Sequence, residues 1–150
     1  MHKTMAKPLS RRLLAALGLL ALTVRRSKAA PLSIGELYGA VTAEGLQLSP
    51  AGQALVGRPI TLKGYMAPPL KAESDFFVLT RYPMSTCPFC SNAADWPADI
   101  VVVNLSRNAE MLGAAYAIEV SGILEVGAKI DPNTGFVSLV RVAEATWRRT

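Results

Sequence analysis

The chain has 150 residues, 16 Lys and Arg against 11 Asp and Glu, and a formal charge of +5. Its apolar share of 51%, with four Phe, four Tyr and two Trp, excludes a disordered chain and leaves room for one domain with a real core. Its two cysteines exclude a disulfide-built scaffold and a zinc cage of four thiolates within one chain.

The charge is uneven. Residues 1–30 hold Lys3, Lys7, Arg11, Arg12, Arg25, Arg26 and Lys28 and no acid; the first acid is Glu36. Sixteen cations less these seven leave nine against eleven acids over residues 31–150, a net of −2. The basic start is followed by Leu13 to Val24, twelve uncharged residues. That is short of the roughly 20 a bilayer span needs and suits the apolar region of an export signal. Ser10-Arg11-Arg12-Leu13-Leu14 resembles the twin-arginine signal, and Arg25, Arg26 and Lys28 behind the apolar stretch fit that route. Ser27-Lys28-Ala29 offers small residues where a signal peptidase reads, so cleavage is expected between Ala29 and Ala30. No cysteine is near that point for a lipid anchor, and no permanent membrane anchor is expected after cleavage. The expected location is periplasmic.

Residues 31–56 read as a helical or irregular lead-in. Ile34, Leu37, Tyr38 and Val41 have helical spacing over 33–43. Ser49-Pro50 reads as an N-cap followed by Pro at the first helical position, opening a short helix that Gly57 ends. From Arg58 the period becomes two. Ile60, Leu62, Gly64 and Met66 alternate with Thr61, Lys63 and Tyr65, a first strand that Pro68-Pro69 stops. Phe76 to Tyr82 is a second strand, dense in aromatic and β-branched residues. Ile100 to Val103 is a third, expected to be buried on both faces. In the fourth, Tyr116, Ile118, Val120, Gly122, Leu124 and Val126 face one way and Glu119, Ser121 and Glu125 the other. Asp131-Pro132-Asn133-Thr134-Gly135 predicts a turn, and Phe136 to Val142 a fifth strand.

Five strands in so short a stretch must bury their faces and hide their edges, which a small closed barrel does. The expected fold is mainly β: a five-stranded OB-like barrel over residues 57–146, preceded by a short helical segment, with a small β-sandwich as the alternative. Gly64 and Gly122 suit the sharp bends of such a barrel.

Chemistry centres on Met84-Ser85-Thr86-Cys87-Pro88-Phe89-Cys90, which holds both cysteines. Cysteines three apart close a tight disulfide or point at one metal ion. A thiol at a helix start is acidified by exposed backbone amides, as in thioredoxin-like sites, which Cys-Pro-Phe-Cys resembles. Asp95-Trp96-Pro97 comes too soon for the long helix a thioredoxin fold places after its motif. A Zn(II) site would need Asp95 or Asp99 or a second chain, because the one histidine, His2, lies inside the expected signal. A Cu(I) ion accepts two thiolates with Met84 as a third ligand, although Met84 stands one residue further upstream than in the Met-x-Cys-x-x-Cys of copper carriers. Ser91 after Cys90 excludes haem attachment. Three readings stay open: metal binding, thiol–disulfide exchange, and a structural disulfide that pins a loop in an oxidising compartment. Phe89, Asp95 and Trp96 flank the pair.

Gly57-x-x-Ile60-x-Leu62-x-Gly64-Tyr65-Met66-x-Pro68, an apolar strand, a cysteine-bearing loop and a Gly-containing strand ending near a turn resemble a group of uncharacterised bacterial periplasmic proteins with an OB-like domain of unknown function. The resemblance covers roughly residues 55–145. The better-known branch carries Cys-x-His and several prolines where this chain has Cys87-Pro88-Phe89-Cys90. These proteins are often encoded beside MacB-type ABC transporters and periplasmic metal-binding proteins. The resemblance therefore implies a binding or accessory role with an ABC transporter component or a metal-binding protein as partner.

The remaining residues point away from other classes. Tyr65, Phe76, Phe77 and Tyr82 are aromatic enough to stack bases, but a net of −2 does not attract nucleic acid, so they read as core. Lys63, Lys71 and Arg81 read as a solvated strand face. Glu119 and Glu125 stand about 20 Å apart by strand rise, too far for paired acid–base catalysis. No catalytic set and no phosphate loop is present, and enzymatic activity is not assigned.

Overall fold

The computed structural model describes residues 28–68, 75–84, 96–107, 112 and 116–150. The expected signal with Arg11 and Arg12, and the stretch with Cys87, Phe89, Cys90 and Asp95, lie outside the described residues.

The described chain is mainly β. It begins with β1 (Ala30–Ser33), one helical turn α1 (Ile34–Leu37), β2 (Tyr38–Thr42), β3 (Gly45–Leu48) and α2 (Pro50–Ala54). Five longer strands follow: β4 (Pro59–Met66), β5 (Phe76–Thr80), β6 (Ile100–Leu105), β7 (Ala117–Ile130) and β8 (Val137–Arg149). No described helix is long and apolar enough to cross a membrane.

The lead-in differs from expectation. Over 33–43 helix is confined to Ile34–Leu37, and the short strands β1, β2 and β3 flank it. Ser33 and Glu36 form a reciprocal capping box, which starts the helix and lowers the Glu36 carboxyl through hydrogen bonds from Ser33. Ile34 and Leu37 bury one turn's worth of apolar surface, and the backbone then turns extended at Tyr38 (φ −99°, ψ 145°). Val41, the next residue of the helical spacing, is 76% exposed, so no buried face rewards further helix. Tyr38–Thr42 instead pairs antiparallel with Gly45–Leu48, and Gly45 takes the positive φ of 102° the turn demands. The second helix follows expectation: the Ser49 hydroxyl accepts from the Gly52 amide, Pro50 opens the helix, and Gly57 has φ 74°.

The five expected strands all form, with shifted ends: the second stops at Thr80 rather than Tyr82, the fourth runs on to Ile130 and the fifth to Arg149. Their pairings make a closed circuit. β4 pairs with β5, β5 with β6, β6 with β8, β8 with β7, and β7 with β4. All are antiparallel except β6 with β8. β4 serves two neighbours, pairing with β7 over Pro59–Tyr65 and with β5 at Tyr65 and Met66. β1 adds parallel to β4, from Ala30 beside Ile60 to Ser33 beside Lys63. The core gathers Ile60, Leu62, Phe77, Leu79, Ile118 and Leu124 with their neighbours. Ile100–Val103 is buried on both faces as the unbroken apolar run predicts.

The two strand glycines answer close approach. A Cβ on Gly64 would sit 2.5 Å from the Thr80 carbonyl oxygen, and one on Gly122 would sit 2.5 Å from that of Ala143. At Gly122 the β7–β8 register slips by one, from Ser121 beside Thr146 to Ile123 beside Ala143. The extra β8 residue is a bulge with Glu144 at φ 50°. The acids of the fourth strand each meet an arginine of β8. Glu125 accepts from Arg141 Nε at 2.8 Å and Glu119 from Arg148 at 2.6 Å.

Candidate functional site

The cysteine-bearing segment leaves β5 and returns to β6 at one end of the ring. Its base is closed by register pairing of Thr80 with Ile100 and by the Arg81 amide donating to the Asp99 carbonyl at 2.9 Å. The Thr80 hydroxyl, fully buried, donates to the Tyr82 carbonyl at 2.7 Å and steers the outgoing chain. Met84, half-buried, is the last described residue before the cysteines, and Trp96 the first after them.

Trp96 is anchored. Its indole Nε1 donates to the Tyr38 hydroxyl at 3.0 Å, and that hydroxyl donates to the Ile100 carbonyl at 2.6 Å. The relay joins the return leg of the segment, the lead-in hairpin and the start of β6. Burial pushes the Tyr38 phenol well above the usual tyrosine range; the Trp96 bond opposes this and the Asp99 charge adds to it. The phenol therefore stays neutral and serves as a fixed donor and acceptor. The Trp96 ring lies 6.3 Å from Phe136, which stacks on Phe76 at 5.8 Å.

Trp96 and Tyr38 also line a cleft of about 500 Å³ between the β2–β3 hairpin and the β7–β8 pair, with Leu48, Val56, Val126 and Leu139 as its main apolar walls. The cleft can take an apolar side chain or ligand, with Gln47 and Gln53 as polar contacts at its edge.

The other candidates separate. Among the described residues no three His, Cys, Asp or Glu side chains gather as a metal cage. Of the proposed ligands Met84 and Asp99 are described, and the two thiols that a metal would rest on lie outside the described residues. Phe76 and Phe77 are core as expected, whereas Tyr82 is exposed with the Arg81 guanidinium 5.3 Å above its ring. Arg81 and Lys63 are both exposed, as solvated residues, and the Arg81 guanidinium also lies over Gly35, where a Cβ would be 2.9 Å from its carbon. Lys71 lies outside the described residues. The residue that sequence reasoning missed is Tyr38, 58 positions from Trp96. Its place in an apparent helical stripe concealed its role, and no local signal links the two.

No protein-family model matches this chain, and no curated protein matches it. Among solved structures it is similar to a DUF3299 family protein from Pseudomonas aeruginosa PAO1, with a TM-score of 0.50 and 16% identity over 82% of this chain and 98% of that one. At that identity the likeness speaks to the fold alone. It agrees with the resemblance in its coarsest form, a bacterial family of unknown function with this mainly β architecture.

Proposed function

We propose that the protein is an exported periplasmic binding or accessory protein, serving an ABC transporter component or metal handling, with Cys87 and Cys90 as its site. The ring is read as an OB-type barrel. In support, the five strands pair in a closed circuit, with β1 as a third partner of β4, and the fifth lies parallel to the third. Export is supported by the acid-free, cation-rich residues 1–30. Cleavage between Ala29 and Ala30 would leave β1, and with it every described strand, intact.

The observation that carries the site is the anchoring of Trp96. Its bond to Tyr38 fixes the residue at which the cysteine segment rejoins the fold in the wall of the 500 Å³ apolar cleft. Two thiolates with the Met84 sulfur suit Cu(I); Zn(II) would draw on Asp95 as well. Outside the cytoplasm the resting state of the pair is a disulfide, so metal loading requires reduction first.

The test is a titration of reduced, anaerobic protein with Cu(I) and Zn(II), together with the reduction potential of the pair. Submicromolar binding that Cys87→Ser abolishes supports the reading. A potential above about −250 mV without metal binding replaces it with thiol–disulfide exchange. A potential below about −300 mV without metal binding leaves a disulfide that only pins the loop.

A further inference from the structure

The cleft beside Trp96 has two preformed walls. One is the β2–β3 hairpin: Leu46 and Leu48 line the cleft, and Val41, the register partner of Leu46, continues the same face at 76% exposure. The other is the arm of β7 and β8 beyond Ile123 and Arg141, where the two strands pair with each other as far as Ile130 and Val137. The turn at its tip is fixed by Asp131 Oδ1, which accepts from the Thr134 amide at 2.8 Å and the Thr134 hydroxyl at 2.6 Å. Arg141 braces its flank, donating to Glu125 at 2.8 Å and to the Gly127 carbonyl at 2.7 Å. Val56 and Val126 line the cleft and are still 44% and 42% exposed.

The polar groups of the lining are already committed to the fold. The Trp96 indole donates to Tyr38 at 3.0 Å, and the Tyr38 hydroxyl to the Ile100 carbonyl at 2.6 Å. The Gln47 amide donates to the Gly45 carbonyl at 3.2 Å and to Thr42 Oγ1 at 3.4 Å, and the Gln53 amide to the Leu48 carbonyl at 3.1 Å. The Gly127 carbonyl is taken by Arg141. Among the described residues no charged side chain lines the cleft.

We infer that this cleft binds the hydrocarbon chain of a neutral, single-chain lipid, at a site that shares only Trp96 with the cysteine segment. A volume of about 500 Å³ lies within the range of small-molecule sites. An extended peptide brings an N–H and a C=O at every residue, and the side-chain donors its carbonyls need are spent. A sugar or a nucleotide meets the same shortage. An alkyl chain carries no polar group and loses nothing by entering, while it covers Leu46, Leu48, Val56, Val126 and Leu139. A charged head group finds no counter-charge in the lining, so the fitting lipid is neutral and leaves its head in water.

The full-length protein, carrying Trp147→Phe so that Trp96 alone reports, is titrated with octanol, decanol and monodecanoylglycerol as dispersed monomers. The expected result is saturable binding, tightened about fourfold for each methylene from octanol to decanol. Decanoate binds no more tightly than decanol, and ~0.5 M NaCl leaves the affinities in place. Val126→Asp and Val56→Asp, both at exposed positions and checked for native circular dichroism, weaken binding about tenfold or more. Ile130→Asp, 66% exposed on the same strand as Val126 but outside the cleft, leaves it unchanged. Binding also persists in Cys87→Ser, so failure of this inference and failure of the metal reading are told apart. The inference is overturned if decanol does not saturate by ~200 μM, or if affinity does not rise with chain length. Equal loss in Ile130→Asp, or attachment to phosphatidylcholine vesicles without binding of the monomeric lipids, overturns it too. So does a dimer in sedimentation velocity that Val126→Asp dissociates, since a second copy then covers the cleft.

Discussion

Removing one oxygen atom from Tyr38 tests how the cysteine-bearing segment is held. Tyr38→Phe keeps the ring and deletes the hydroxyl that accepts from Trp96 at 3.0 Å and donates to Ile100 at 2.6 Å. The indole N–H belongs to a residue only 9% exposed, and leaving it without an acceptor costs about 1–3 kcal/mol. The expected loss is about 2 kcal/mol, or about 6–10 °C in melting temperature for a domain of this size. Urea unfolding with an unchanged m value measures it, and a red shift of the Trp96 emission, separated from Trp147 with Trp96→Phe, reports the opened anchor. A raised folded pKa means that the native phenol keeps a proton which the unfolded chain releases above about pH 10. That stabilisation is complete below about pH 10 and is lost as the pH climbs further, so Tyr38→Phe flattens the alkaline limb of the stability profile. A loss under about 0.5 kcal/mol, or strict additivity with Trp96→Phe, would refute the anchoring argument.

Gly122→Ala places a methyl group against the Ala143 carbonyl oxygen and 2.6 Å from Val142 Cγ1, and is expected to cost about 3 kcal/mol in a thermal melt. Glu125→Ala leaves Arg141, 8% exposed, with the Gly127 carbonyl as its remaining acceptor, and urea unfolding should show a loss of about 1–3 kcal/mol. Glu144→Gly relieves the positive φ of the bulge and should be neutral to about 1 kcal/mol stabilising, whereas Glu144→Val should lower the melting temperature.

The strands that were legible are those whose side chains alternate over a long run. Ile60 to Met66 and Ile118 to Val126 announce themselves by period, and Ile100 to Val103 by unbroken apolarity. The Asp131 turn was legible because its side-chain chemistry is local. β1 was not: Ala30–Ser33 is only four residues long and includes a proline, too short for a period to stand out, and its parallel partner lies thirty positions on. The second half of β8, Ala143 to Arg149, reads as weak strand in isolation and forms because β7 supplies a ladder as far as Ile118. Helical spacing misled over 33–43 because Gly35 and Gly39 weaken a helix there and Tyr38 finds its partners across the fold. The cysteine pair was evident at once, but the Tyr38–Trp96 anchor depends on two residues that share no local signal.

The parallel pairing of β6 with β8 also sets an order of events. β8 comes last of the ring strands along the chain, yet it lies between β6 and β7. Until residues 137–149 have been synthesised, both neighbours present unpaired edges and the circuit stands open. Closure then joins segments far apart in sequence, which slows folding and makes it wait for β8. A chain cut before Val137 is left with two adhesive edges and aggregates instead of folding to a smaller ring.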